Sequence, residues 1–263
     1  MTGFYIGVDG KARKVKGGYV GVDGVARKIK KGYIGVDGVA RLCYQSGFDP
    51  VFANNNWEEI AVACQTNSVP DSWAVGDQKP MTIGGTDYLV DIIGKDHDDY
   101  TDGSGKAPLT FQLHDCYKTQ YRMYSTINNM VGWDSCEIRT STLKTLLSLM
   151  PTEISSRVRE VNKLTVARYE NDSIYTVADK LFLLSEMEVC GKTTYSKKGE
   201  GNQYSYYAAG NSKSKKVTNS STSWWLRSPN ISSSYTYCQI TSSGGNTSSN
   251  ADTISGVSFA FCF

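Results

Sequence analysis

Cysteine and histidine are residue types that often carry catalysis or bind metals, and the sequence has seven of the first and two of the second. The cysteines are odd in number and contain no Cys-x-x-Cys pair, which argues against both a disulfide framework and a zinc site. Cys64 and Cys190 lie inside apolar runs, where a free thiol commonly packs as a small hydrophobic side chain. His97 and His114 belong to no recognisable triad arrangement. We therefore expect neither a metal centre nor a cofactor.

An aspartate-rich stretch runs from Asp96 to Gly105, and its Asp96–Asp102 part carries the carboxylates. Carboxylates that alternate before a glycine could wrap a hard cation such as calcium. The glutamate that ends an EF-hand loop is missing, and no helix is predicted to follow. The pattern favours an exposed Asp/Gly-rich loop, with cation binding as the open alternative.

A segment rich in small polar residues and free of charged residues lies between two apolar, strand-like runs, Trp224–Pro229 and Gly256–Phe263. Residues 228–251 contain no Asp, Glu, Lys or Arg, and of the 21 residues from 230 to 250 fifteen are Ser, Thr, Asn or Tyr. Antibody-type binding surfaces use this mixture, with Tyr for contact area and Ser and Asn for adaptable hydrogen bonds. The composition predicts a recognition surface, and a long solvated loop is the alternative.

The elements that must position this segment follow from capping and periodicity. Asn56 and Glu59 form the capping-box pattern of a helix, and a second helix is predicted from Asp134 or Ser135 to Met150, ended by Pro151. A short helix follows from Thr152. Residues 75–79 and 81–88 predict a strand, a turn and a strand, which continues as a buried strand over 88–94. Further strands are predicted at residues 109–114, 161–167 and 180–185. Helices early and strands late favour an α+β fold.

Strand alternation over residues 235–241 predicts that Cys238 and Ile240 face the core while Tyr237, Gln239 and Thr241 face outward. In the preceding strand, Trp225 and Leu226 are expected to be buried. Arg227 is expected to bond to backbone or a carboxylate, because an unpaired buried guanidinium would be costly.

A 14-residue repeat begins at Tyr5, Tyr19 and Tyr33, and each copy places Asp-Gly between short β-prone runs. This is the signal for a hairpin with a type I′ turn. One hairpin is marginal alone, so the three must stack on each other, on the main domain or on other chains. Residues 1–44 are thus predicted to be an attachment or oligomerisation module that precedes a main domain at 45–263. A nucleic-acid arm is the rival for a segment whose first 42 residues carry nine Lys/Arg and three Asp, but hairpins with interleaved valines fit it poorly.

No apolar run reaches membrane length and the N-terminus lacks an apolar signal region, so neither a membrane span nor a signal peptide is expected.

Two resemblances add to these patterns. The repeat motif Gly-Val-Asp-Gly-Val-Ala-Arg resembles tandem elements at the start of phage and prophage tail and adhesion proteins. Residues 50–263 resemble a domain found at the C-terminus of phage and surface proteins of gut bacteria, which is similar to the formylglycine-generating-enzyme branch of the C-type lectin fold. The landmarks of this second resemblance are Trp57-Glu-Glu-Ile-Ala61, Gly132-Trp133-Asp134 with Arg139, Leu181-Phe-Leu-Leu-Ser185 with Glu188, Trp224-Trp-Leu-Arg-Ser-Pro229, and Gly256-Val257 with Ala260-Phe261. Phe259 departs from it, because such closing strands more often have proline there.

The same fold carries the variable proteins of diversity-generating retroelements, in which codons rewritten at adenines scatter into Asn, Ser, Thr, Tyr, Ile, Asp, Gly and Cys. Every residue from 230 to 250 except Gln239 is one of these types. The resemblance implies a ligand-binding surface within residues 230–253. The candidate residues are Asn230, Ser232, Ser233, Ser234, Tyr235, Tyr237, Gln239, Thr241, Asn246, Thr247, Ser248, Ser249, Asn250 and Asp252.

Three functions remain open. The first is a receptor-binding or adhesion protein of a phage tail or bacterial surface, which displays this segment to a host-surface protein or glycan and is not an enzyme. The second is a structural tail or adhesion subunit without a variable site. The third is an enzyme of the formylglycine-generating type, for which Cys238 and Cys262 are the candidate cysteines, although their neutral, strand-like surroundings do not suit a reactive thiol.

Overall fold

The computed structural model describes residues 5–8, 10–14, 18–45 and 47–263. The chain divides into two compact units, Met1–Ala74 and Val75–Phe263. The predicted boundary at residue 44 stays a prediction, and the hairpins and the first helix share the first unit. Within the described residues, none of the helices combines the length and apolar character that crossing a membrane requires.

The first unit contains the three repeats, each folded as an antiparallel hairpin. Their strands are β1 (Tyr5–Val8), β2 (Lys11–Lys14), β3 (Tyr19–Val22), β4 (Val25–Lys28), β5 (Lys31–Val36) and β6 (Val39–Gln45). Asp23 and Gly24 have φ of 53° and 73°, and Asp37 and Gly38 have 52° and 77°, as a type I′ turn requires. Asp9, in the first predicted turn, lies outside the described residues. The predicted hairpins are confirmed for the described strands, and what they stack on stays a prediction.

Helix α1 (Trp57–Gln65) completes this unit, and the predicted capping box is present. The Asn56 side chain accepts from the Glu59 amide at 2.8 Å, while Glu59 accepts from the Asn56 amide at 2.9 Å. The Lys31 ammonium, at the start of β5, lies 2.5 Å from the Glu59 carboxylate and so ties the third hairpin to the helix.

The second unit is α+β, with most of its regular structure in strands. The strands are β7 (Gln78–Ile83), β8 (Thr86–Lys95), β9 (Leu109–Leu113), β10 (Val161–Arg168), β11 (Asn171–Asp179), β12 (Leu181–Phe182), β13 (Lys215–Val217), β14 (Ser220–Thr222), β15 (Trp224–Pro229), β16 (Thr236–Ile240), β17 (Asn246–Asn250) and β18 (Ala260–Cys262). The helices are α2 (Gly132–Ser135), α3 (Leu143–Leu149), α4 (Thr152–Ser155), α5 (Glu186–Cys190) and α6 (Ser205–Ala208).

These strands form two main antiparallel sheets. One has five strands in the order β12-β18-β9-β8-β7, and the other has three in the order β15-β16-β17. Strand β18 lies inside the larger sheet and brings the Phe261 ring against the Phe111 ring at 5.2 Å. Strands β10 and β11, and strands β13 and β14, form separate two-stranded ribbons.

The predicted helix from residue 134 to 150 is wrong as one continuous element. Cys136 is extended, with φ of −68° and ψ of 151°, and a π-helical turn at Ile138–Thr142 precedes α3. Trp133 and Arg139 donate to the two oxygens of the Asp179 carboxylate at 2.8 and 2.6 Å. The interruption allows side chains on both sides of it to reach this one buried acid.

Two predicted strands are shorter than expected. Residues 183–185 leave the sheet because the backbone carbonyls of Leu183 and Leu184 accept hydrogen bonds from the Arg227 side chain and amide. The first predicted strand begins at Gln78 rather than residue 75. The predicted strands at 109–114 and 161–167 are confirmed as β9 and β10.

Candidate functional site

The uncharged segment forms the central strand, β16, and one edge strand, β17, of the three-stranded sheet. Strand β15 pairs with β16 through Trp224↔Ile240 and Trp225↔Gln239, and β16 pairs with β17 along its whole length. Trp225 and Leu226 are fully buried, as predicted. Strand β16 therefore lies beside the buried tryptophans of β15, and β17 forms the edge of the sheet.

The predicted outward orientation of Tyr237 and Gln239 is wrong. Both are buried, at 0% and 2% exposure, and Cys238 and Ile240 are buried as predicted. The Tyr237 hydroxyl donates to the Gly132 carbonyl at 3.0 Å, so α2 covers this face of β16. Strand alternation assumes one solvated face, whereas β16 is a central strand with protein on both faces.

The backbone of residues 230–236 is held by one buried amide, Asn129. Its Nδ2 donates to the carbonyls of Asn230, Ser233 and Thr236 at 2.8, 2.8 and 2.9 Å. The Asn129 backbone amide also donates to the Ser234 carbonyl at 2.7 Å. A loop of serines is thereby fixed by a residue about a hundred positions earlier in the chain, which the loop's own composition did not indicate.

Glu186, fully buried at the start of α5, holds the opposite side of the segment. Its carboxylate accepts from the backbone amides of Thr194 and Ser196 at 2.6 and 2.7 Å. It also accepts hydrogen bonds from the Asn246 amide and from the Cys238 thiol. The start of α5 has a sequence signal, because Ser185 and Glu188 form a capping box. The contact between Glu186 and β17 has no such signal.

Exposure divides the predicted binding residues into three groups. The exposed ones are Ser232, Tyr235 and Asn250. The half-buried ones are Ser233, Ser234, Thr241, Asn246, Thr247, Ser248, Ser249 and Asp252. The buried ones are Asn230, Tyr237 and Gln239. Exposed neighbours that the prediction omitted are Ser242, Ser243, Thr253 and Ile254. Tyr235 at 58% and Ile254 at 66% are the large exposed side chains of this surface.

Three buried polar atoms of the same sheet have no hydrogen-bond partner, namely Thr236 Oγ1, Gln239 Nε2 and Asn246 Oδ1. Buried polar atoms are nearly always paired. The described part of the second unit has one further such atom, on Arg157, and that residue has other interactions. Unused hydrogen-bonding capacity is therefore concentrated in the candidate sheet.

Behind the sheet lies a buried chain of alternating charges. The Arg227 guanidinium contacts the Glu188 carboxylate at 2.5 Å, and Lys163 lies 2.7 Å from Glu188 and 2.5 Å from Asp98. Arg227 also donates to the carbonyls of Leu164 and Glu200. The prediction that Arg227 bonds to backbone or a carboxylate is confirmed. Each of the four charges in this chain has an opposite partner, as low-dielectric burial demands.

These ion pairs shift the pKa of their members. Burial alone would raise the pKa of Asp98, but the Lys163 ammonium outweighs it and the pKa falls to about 2. Burial opposes ionisation of Glu188 too, and the charges of Arg227 and Lys163 nevertheless lower its pKa. Glu200 lacks so close a cation, and burial raises its pKa. The network thus keeps Asp98 and Glu188 ionised at neutral pH.

One group of side chains in the described residues has the spacing to hold a metal ion, formed by His97, Asp98 and Glu188. The Lys163 ammonium bridges both carboxylates of this group. Burial also lowers the pKa of His97, whose ring stacks on Tyr204 at 3.9 Å. The position between the carboxylates is thus filled by the protein's own cation.

The Asp96–Asp102 loop does not gather its carboxylates around a common centre. Asp98 points inward to Lys163, Asp99 lies 3.7 Å from Lys106, and Asp102 lies 2.5 Å from Arg159. Each of these acids therefore interacts with a different cation. The arrangement supports the structural interpretation of this loop over calcium binding.

Cys238 and Cys262 lie in different sheets and contact different groups. Cys238 contacts Glu186, whereas Cys262 contacts Asp98 and Thr110. Both are fully buried, and burial raises the pKa of each thiol well above its usual value. Neither thiol has the lowered pKa and the access that a nucleophilic cysteine needs.

The chain belongs to a family described as a domain of unknown function, DUF6273, which matches residues 109–263. The matched segment runs from β9 to β18 and so contains the three-stranded sheet, Asn129 and Glu186. Neither the curated proteins nor the solved structures gave a match.

Proposed function

We propose that the second unit is a ligand-binding domain whose binding surface is formed by the exposed side chains of residues 230–253. The observation that carries this proposal is a contrast between backbone and side chains. Asn129 fixes the backbone of residues 230–236, and Glu186 binds the side chains of Cys238 and Asn246. The side chains of Ser232, Tyr235 and Asn250 remain exposed. A rigid backbone lowers the entropy lost on binding, and an exposed tyrosine supplies contact area.

The finer proposal is a C-type-lectin-like variable protein, carried on a phage tail or bacterial surface and directed at a host-surface protein or glycan. The fully buried Trp-Trp-Leu-Arg-Ser-Pro strand and the short strands around it support the fold assignment. Variation at a binding surface must not disturb the core. In this segment the exposed residues are distinct from the buried ones, which include Tyr237 and Ile240. The binding residues proposed now are the exposed and half-buried members of the segment.

The two alternatives have less support. An enzyme of the formylglycine-generating type would need accessible thiols, whereas Cys238 and Cys262 are buried and lie apart in the fold. A structural subunit needs no open polar surface, whereas this segment exposes Tyr235 among uncharged polar side chains.

The test is a comparison of randomised libraries of the full chain displayed on yeast. The first library varies the exposed residues Ser232, Tyr235, Ser242, Ser243, Asn250 and Thr253. A core library varies Tyr237, Cys238, Gln239 and Ile240. A control library varies six exposed residues of the β10–β11 ribbon, namely Asn162, Leu164, Arg168, Glu170, Asn171 and Asp172.

We expect most members of the first library to stay protease-resistant and to yield binders against two unrelated probes, lysozyme and streptavidin. The core library should lose protease resistance, because core substitutions cost several times more than surface ones. The ribbon library should stay folded but yield fewer binders. The proposal is wrong if the first library unfolds as the core library does, or yields no more binders than the ribbon.

A further inference from the structure

The geometry points to the outer edge of strand β17 as a docking site for an extended, uncharged peptide segment of a protein ligand, which would add a fourth strand to the β15-β16-β17 sheet. This inference rests on the proposed binding function and specifies its ligand class as peptide rather than glycan.

The hydrogen bonds between β16 and β17 determine which backbone groups of β17 face the open side. The Thr241 amide donates to the Gly245 carbonyl at 2.7 Å, and the Ala251 amide donates to the Tyr235 carbonyl at 2.9 Å. In an antiparallel pair, hydrogen-bonded residues recur at every second position. Thr247 and Ser249 therefore face β16 with their N–H and C=O groups. Asn246, Ser248 and Asn250 direct theirs to the open side.

The outward backbone groups of β17 differ in whether they already have a hydrogen-bond partner. The Asn250 carbonyl accepts from the Thr253 amide at 2.9 Å, which closes that end of the edge. No hydrogen bond is described for the backbone N–H and C=O groups of Asn246 and Ser248. Residues two apart in a strand repeat at about 7 Å, so these groups match the alternating donors and acceptors of an extended peptide.

Strand β17 lacks the features that usually protect an edge strand from pairing with another strand. Natural edge strands are blunted by proline, charge or shortness. In the larger sheet of this protein, the edge strand β7 contains Lys79 and Pro80, and the other edge, β12, has two residues. Strand β17, Asn-Thr-Ser-Ser-Asn, has five residues with neither a charge nor a proline.

The side chains next to the edge of β17 order the strand and leave apolar surface beside it. The side-chain amide of Asn246 donates to Glu186, and the Ser248 hydroxyl accepts from the Asn230 side chain. The strand is therefore ordered before any ligand binds. Tyr235 pairs with Ala251 and is exposed, and Ile254 follows the end of β17 with 66% exposure. These two side chains can cover the flanking residues of a docked peptide, and the lack of charge on residues 228–251 favours an uncharged one.

The test uses the full chain and peptides selected against it from a library of uncharged ten-residue sequences. Each selected peptide is then made in two forms, N-methylated at alternate amides in one phase or in the other. One phase blocks the amides that would face β17 and the other blocks those that face solvent. We expect the first form to bind at least about tenfold more weakly than the second, as loss of backbone hydrogen bonds implies.

A protein variant gives the reciprocal measurement. Ser248→Pro removes the outward N–H and leaves the inward bonds of Thr247 and Ser249 intact. We expect it to weaken peptide binding by about tenfold or more. Should this variant fail to fold, the N-methylated pair decides the question alone.

Equal binding of the two N-methylated forms would overturn the inference. So would a concentration-dependent dimer in sedimentation that Ser248→Pro dissolves, since a second copy would then occupy the edge. Failure of the proposed function looks different. If Tyr235→Ala weakens binding while the N-methyl phase has no effect, the surface binds through side chains and only the edge inference falls. If neither change matters and the surface library yields no binders, the proposed function falls as well.

Discussion

At the scale of single residues, the buried ion pairs give the domain a defined response to acid. Asp98 is buried beside Lys163 and its pKa is depressed to about 2. A carboxyl whose pKa is lower in the folded than in the unfolded state stabilises the fold above its unfolded pKa. That contribution is lost as pH falls toward the folded pKa.

We therefore expect the free energy of unfolding to fall by about 2 kcal/mol between pH 4 and pH 2 through Asp98 alone. The measurement is urea unfolding of the wild type and of Asp98→Asn across this range. The variant should be much less stable at pH 5, and the difference should shrink toward pH 2. The exposed Asp71→Asn serves as the matched control and should change stability by no more than about 0.5 kcal/mol. A difference between wild type and Asp98→Asn that stays constant with pH would contradict the assignment.

Two tyrosines within residues 230–253 allow a matched test of which side chains are available to a ligand. Tyr235 is 58% exposed, while Tyr237 is fully buried with its hydroxyl bonded to the Gly132 carbonyl. We expect Tyr235→Ala to cost no more than about 0.5 kcal/mol and Tyr237→Ala about 3–5 kcal/mol. Thermal and urea unfolding check both values. Similar losses for the two variants would show that the face of β16 has been misassigned.

At the scale of elements, features that depend on neighbouring residues were predicted correctly from the sequence. Features that depend on contacts between distant residues were not. The Asp-Gly hairpins and the α1 capping box depend on residues within a few positions of each other, and the structure has both. The orientation of Tyr237 and Gln239 could not be read from alternation, because it depends on α2 covering the second face of β16. The segment's anchors, Asn129 and Glu186, lie far from it in sequence and carry no local sign of that role.

Asn129 offers the sharpest element-level prediction. Asn129→Ala removes the donor to the carbonyls of Asn230, Ser233 and Thr236, so we expect a loss of about 2–4 kcal/mol. Hydrogen exchange should accelerate in residues 230–236 and remain unchanged in β10. The neighbouring Asn128→Ala, which removes one local bond to the Met130 amide, should cost about 1 kcal/mol or less. Unchanged exchange in residues 230–236 would show that Asn129 does not fix that loop.

At the scale of the whole molecule, the hairpin repeats expose large apolar side chains to solvent. Tyr19, Val25 and Tyr33 are 68%, 58% and 54% exposed. Exposed apolar residues on small hairpins mark association surfaces, and an isolated hairpin is marginally stable in water. This pattern fits the predicted role of residues 1–44 in attachment or oligomerisation.

Deleting residues 1–30 tests that role while keeping Lys31, which pairs with Glu59. We expect a folded protein with an unchanged melting transition of the second unit. In sedimentation velocity, the average number of chains per particle should be lower than for the full chain. A shorter deletion of residues 1–4 is the control. An unchanged mass distribution, or loss of the fold, would contradict separate modules.

We propose that residues 230–253 form a recognition surface whose exposed side chains vary over a fixed core. The most direct measurement is deep sequencing of these codons across many natural isolates that carry the gene. We expect adenine-templated variation concentrated at the exposed positions, such as Ser232, Tyr235 and Asn250. The codons of the buried residues Tyr237, Cys238 and Ile240 should be nearly constant. Variation spread evenly over exposed and buried codons, or no more frequent here than in the codons of β10 and β11, would contradict it.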